Sequence, residues 1–81
     1  MIVAHTVYGQ DDTHNIVVRA NKTQNVMELD CTFEQYQTAI QRYKNGAMIQ
    51  DAFHFLNSTQ REFLMTGMSA EEQSSFFHQE F

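Results

Sequence analysis

The chain has 81 residues, a formal net charge of −5 from ten acidic and five basic side chains, and one cysteine. That length makes one domain, 1–81, and 42% apolar residues, with seven Phe and three Tyr among them, suit a folded core rather than disorder. Scattered cations exclude a direct nucleic-acid binder, a lone thiol excludes an internal disulfide or thiolate zinc cluster, and no apolar run approaches the roughly 20 residues that span a bilayer.

The first third, 1–31, reads as strands. "IVAHTVY" and "NIVVRA" are rich in β-branched residues and are separated by "GQDDTH", a polar loop with a glycine. After the turn-like "NKTQN", the segment "VMELDC" alternates. Met27, Leu29 and Cys31 share one face, and Glu28 and Asp30 share the other. Short connections between neighbouring strands favour an antiparallel three-stranded meander.

Residues 32–81 read as helices, three to four of them and short. Thr32 with Gln35 has capping-box spacing, and Phe33, Tyr36, Ile40 and Tyr43 then recur as one apolar stripe. Asn45 and Gly46 stop that helix. A second is expected over "AMIQDAFHFL", with Met48, Ile49, Ala52, Phe53 and Leu56 on one face and Phe55 on the opposite one. Thr59 with Glu62 and Ser69 with Glu72 give two more boxes, and Gly67 stands where a helix end favours a left-handed residue. The expected fold is α+β, a meander whose face is covered by the Phe33–Tyr43 helix with the shorter helices packed around it.

The residues that could carry chemistry do not converge in the sequence. His5, His14, His54 and His78 lack the i, i+4 pairing of a helical metal site, and Asp11, Asp12 and His14 read as a solvated turn able to hold an adventitious cation. Cys31 lies beside Asp30, which disfavours a thiolate, and reads as a small buried hydrophobe. Glu71 and Glu72 occupy a first helical turn, where negative charge complements the macrodipole. The chain is read as having no catalytic, cofactor or metal site.

Aromatic excess is what this leaves over. Phe55, Phe76 and Phe81, with Phe77 pointing elsewhere, are the candidate anchors of a partner-binding patch. Glu71 and Glu72 join them as acids that suit a basic partner, and Gln73, Gln79 and Glu80 would form a polar ring.

Within 45–77 the residues Ile49, Gln50, Ala52, Phe53, Leu56, Arg61, Glu62, Phe63, Leu64, Thr66, Gly67, Ser69, Glu71 and Glu72 follow the pattern "IQ-x-AF-x-x-L-x-x-x-x-REFL-x-TG-x-[ST]-x-EE". In this the chain resembles a loose set of small bacteriophage-encoded proteins, including ones from microviruses. His54 and Gln73 depart from the proline and tryptophan common at those places. The resemblance implies a phage origin and the cytoplasm of a host bacterium. The function expected is an acidic accessory protein that binds a host or phage protein with a basic surface, an inhibitor of a defence or regulatory factor in the manner of an anti-CRISPR protein. A self-assembling scaffold module, joined through its sheet edges into a homo-oligomer, is the alternative.

Overall fold

The computed structural model describes residues 1–77. A three-stranded antiparallel sheet, β1 (His5–Tyr8), β2 (Val17–Ala20) and β3 (Val26–Glu28), is followed by four helices: α1 (Phe33–Lys44), α2 (Ile49–Ala52), α3 (Ser58–Thr66) and α4 (Ala70–Phe77). Strand order is β1-β2-β3, as a meander requires. The strands are shorter than the apolar runs that announce them, because "VMELDC" leaves regular pairing after Glu28. Leu29 still donates its N–H to the Ile16 carbonyl, and Ile16 donates to Cys31.

The register opposes Val7 to Val18 and Val18 to Met27, so these three share a face. Ile16, Val18, Ala20, Leu29 and Cys31 on that side are buried with Ala39, Ala52, Phe53, Leu56, Phe63 and Leu64. Phe53 is fully enclosed, and truncating such a ring to alanine removes about 3–5 kcal/mol.

Covering the sheet is shared, where the sequence pattern assigns it to α1. Of α1 only Ala39 is buried, while Phe33, Tyr36, Ile40 and Tyr43 lie half-buried along the core's side. α3 contributes Phe63 and Leu64 from the interior, and the Val3 N–H donates to the Leu64 carbonyl at 2.9 Å. Gln60 of α3 reaches further and donates its Nε2 to the Glu28 carbonyl at 3.2 Å.

Two helix boundaries differ from expectation. α2 is a single turn that ends at Phe53, with φ −113° and ψ 46°, so Phe55 follows the helix rather than lying across it. Met48 is its N-cap and is 60% exposed, outside the core. α3 starts at Asn57, whose side chain accepts the Gln60 N–H while Gln60 returns the bond, so the box is Asn57–Gln60 and not Thr59–Glu62. Asparagine caps at least as well as threonine, and it meets the chain two residues earlier. The other two boxes form as spaced: Thr32 with Gln35, and Ser69 with Glu72.

Gly67 ends α3 with φ +77°. A Cβ there would lie 3.1 Å from the Ala20 Cβ and 3.1 Å from the Thr23 Oγ1, so both conformation and contact disfavour a side chain. That close approach docks the α3–α4 corner onto the β2–β3 turn.

Candidate functional site

The second face of the sheet is open. Antiparallel pairing sets Thr6, Arg19 and Val26 in one cross-strand row and Tyr8, Val17 and Glu28 in the next, all pointing away from the core. Tyr8 is 42% exposed and Val26 57%, large values for strand residues of these types. The Arg19 guanidinium stacks 5.4 Å from the centre of the Tyr8 ring and donates a hydrogen bond to its hydroxyl. A second guanidinium nitrogen reaches the Gln24 Oε1 at 3.5 Å. Contacts to Tyr8 and Gln24 hold this cation against an aromatic ring before any partner arrives. Glu28, at the far corner, accepts from Asn15 at 3.4 Å. The parity of "HTVY" contains this site, since Thr6 and Tyr8 alternate with His5 and Val7. What the sequence lacks is any sign of which parity the helices leave uncovered.

Of the aromatic residues singled out from the sequence, the described Phe55 and Phe76 line separate depressions. Phe55 is half-buried, edge-on to Phe53 at 6.1 Å and to His54 at 5.2 Å. It lines a groove of about 360 Å³ with Glu34, Thr38, Arg42 and Ala52. Phe76 is 59% exposed and lies against a different depression, beside Thr23, Met68 and Glu72. Glu71 is exposed. Phe81, Gln79 and Glu80 lie outside the described residues.

Glu72 and Gln73 have structural work. The Glu72 Oε1 accepts from the Ser69 N–H at 3.0 Å and the Asn25 Nδ2 at 2.8 Å, bonds that hold its carboxyl below the usual range, the Ser69 backbone bond first. Gln73 is buried and donates its Nε2 to the carbonyls of Thr59 and Met68, both at 3.0 Å, so it locks α4 onto α3 instead of ringing a patch.

The loop 11–14 is likewise a folding device. The Asp12 carboxylate accepts the Glu34 N–H at 2.8 Å, a bond that satisfies a first-turn donor of α1. Asp11 accepts from the Thr13 N–H and lies 3.2 Å from the His14 Nδ1, and these contacts lower its pKa, the Thr13 bond most. Asp12 is therefore turned to α1 while Asp11 and His14 face each other, where the sequence allows the three one cation. Among the described residues, no group of three or more His, Cys, Asp and Glu side chains could hold a metal ion. Burial, and then the Asp30 charge, push the Cys31 thiol up to about 11, which keeps it protonated and inert at neutral pH.

Most of the segment 61–72 is accounted for by packing. Arg61 donates to the carbonyls of Phe53 and Leu56, Phe63 and Leu64 fill the core, and Thr66 bonds back to the Glu62 carbonyl. The Gly67 carbonyl accepts from both Thr23 and Asn25, each at 2.8 Å. Comparison with family models, with curated proteins and with solved structures finds no match. Among the described residues, no helix is long and apolar enough to cross a membrane.

Proposed function

We propose that this chain is a small phage accessory protein that acts in the host cytoplasm by binding another protein, a host or phage factor with a basic surface, and inhibits it in the manner of an anti-CRISPR protein. One observation carries the binding reading: Tyr8, Arg19 and Val26 stand together on a sheet face that the helices leave open. Tyrosine and arginine are the side chains most often found at interface hot spots, and an arginine already stacked loses little freedom on docking. Exposed Asp30, Glu34, Asp51 and Glu71 support steering toward a cationic partner.

Size limits what the face does alone. Strands of four, four and three residues span at most about 14 by 13 Å, roughly 180 Å², whereas a stable complex buries about 800 Å² on each partner. The partner must therefore reach past the sheet onto flanking elements, with Phe55 and Phe76 as the further anchors. Two copies stacked through the sheets alone would fall well short of a stable dimer.

The test is affinity capture from a bacterial lysate with tagged wild-type protein, beside a Tyr8→Ala/Val26→Asp variant and a Phe55→Ala/Phe76→Ala variant. A specific protein that binds wild type, is lost with the first variant and is then inhibited in purified form supports the reading. Capture unaffected by both variants, or a captured protein whose activity is unchanged, counts against it.

A further inference from the structure

His5 lies at the head of β1, half-buried between the strand and α1, on the face of the sheet opposite Tyr8. Its Nδ1 is 2.6 Å from the Val3 carbonyl oxygen. A carbonyl can only accept, so Nδ1 carries a proton in both charge states of the ring. Its Nε2 is 2.6 Å from the Tyr36 hydroxyl, and the two rings meet edge to face at 5.9 Å.

These bonds fix the direction of the Tyr36 hydroxyl. When the imidazole is neutral, Nε2 offers a lone pair and the Tyr36 O–H points into it. When the ring takes up a proton, Nε2 becomes a donor and the Tyr36 oxygen must accept. The phenol keeps its own proton, which then turns away from the ring. Burial holds the Tyr36 pKa above its ordinary value, so the phenol stays neutral throughout.

The pair opens on a groove of about 470 Å³ between the N-terminal segment and α1, walled by Ile2, Ile40 and the Tyr43 ring and lined also by Lys44. Among the described residues no carboxylate lines it, although the chain carries twice as many acids as bases. The titratable side chains that line the groove with His5 are Tyr36, Tyr43 and Lys44, all of α1. Lys44 is the cationic side chain at the groove, which suits an anion, and the volume suits a compact organic molecule.

We propose that this groove binds a small organic carboxylate with an apolar body, and that the His5–Tyr36 pair couples its binding to the uptake of one proton. The apolar part rests on Ile2, Ile40 and Tyr43. The carboxylate sits between the Lys44 ammonium and the Tyr36 hydroxyl. A proton from solvent goes to the His5 Nε2, the Tyr36 O–H turns from the imidazole to the ligand, and no covalent bond is made or broken. Neither the open sheet face nor a protein partner enters this reading.

The test titrates isotope-labelled protein with phenylacetate and hexanoate, with phenethyl alcohol as the uncharged control, at about pH 8 and about pH 5.5. Saturable shifts at Ile40, Tyr43 and Lys44 are expected for the acids only, about threefold or more tighter at the lower pH, and about tenfold weaker after Lys44→Gln. His5→Phe removes the acceptor that holds the Tyr36 proton, so affinity should become independent of pH at the tight, low-pH value. Tyr36→Phe should bind weakly at both. Absence of saturable shifts, equal binding of the alcohol, or weak binding by His5→Phe while Tyr36→Phe keeps its pH dependence would each overturn the proposal. Should His5→Phe fail to fold, imidazole nitrogen shifts of the wild type decide: a proton on Nδ1 at about pH 8 is expected, and a proton on Nε2 alone defeats the coupling.

Discussion

Asp12, in the β1–β2 loop, accepts the backbone N–H of Glu34 in α1, 22 residues further on, at 2.8 Å. Thr32 takes the Gln35 N–H of the same turn, so two side chains from separate segments satisfy the start of one helix. Asp12 holds φ +61° to do so, a conformation that aspartate and asparagine tolerate better than most residues. Replacing Asp12 by Ala should remove about 1 kcal/mol, as loss of a helix cap does, while Asp12→Asn should stay close to wild type. Urea denaturation of the two variants measures the difference.

Gln60 joins two tasks that substitution can separate. Its Oε1 accepts the Asn57 N–H in the capping box, and its Nε2 donates to the Glu28 carbonyl. Glutamate at the same place keeps the box and loses the donor, which leaves an acceptor facing an acceptor in a nearly buried site. Gln60→Glu should therefore destabilise by about 1–3 kcal/mol, a loss that belongs to the strand contact alone. Equal denaturation midpoints for the two proteins would show that the contact contributes nothing.

The same contact bears on self-association. The Asn21-to-Ala4 and Ala20-to-Asn25 bonds set the ladder alternation, which turns the backbone groups of Val7 and Glu28 outward at the two sheet edges. Each outward carbonyl meets a glutamine amide, Gln10 at Val7 and Gln60 at Glu28. Blocked edges of this kind oppose strand-to-strand assembly. Light scattering at about micromolar concentration should report a monomer, and Gln10→Ala with Gln60→Ala should raise the apparent mass if the amides are what blocks pairing.

Gly67→Ala should be costly for two separable reasons. The left-handed conformation costs about 1 kcal/mol for any side chain, and the added methyl would press on Ala20 and Thr23 at 3.1 Å. Thermal unfolding should show a loss larger than the conformational part. Ala20→Gly in the same chain should relieve only the Ala20 part of the steric share, which a double-mutant cycle reads directly.

Glu72 makes acid stability depend on pH in a known direction. Its folded pKa is lowered from 4.5, so its contribution is complete above the unfolded value and fades as pH falls below it. The group is exposed, so the effect is small and screened by salt. Stability of Glu72→Gln should decline less steeply than wild type on the acid side, most visibly at low ionic strength. Parallel curves would assign the acid sensitivity to other carboxylates.

Local pattern was enough to read much of the fold. Alternation in "VMELDC" placed Leu29 and Cys31 inside and Glu28 and Asp30 outside, and Thr32, Ser69 and Gly67 marked helix ends through chemistry that acts within four residues. The "AMIQDAFHFL" stripe misled because helical periodicity continues past Ala52 in the sequence, whereas the chain turns at Phe53 to bury that ring beside Leu56. Tertiary packing overrode a local preference that favoured a longer helix.

The amino-acid order by itself determined the α+β class, the meander and three helix ends, because these depend on side-chain period and on hydrogen bonds between near neighbours. Only the tertiary structure decided the rest: that Asp12 caps a helix, that Glu72 ties to Asn25 and Gln73 to Thr59, that Tyr8 and Arg19 face outward, and that His5 meets Tyr36. Each of those outcomes joins residues distant in sequence, and no local period encodes which face of a sheet the helices will cover.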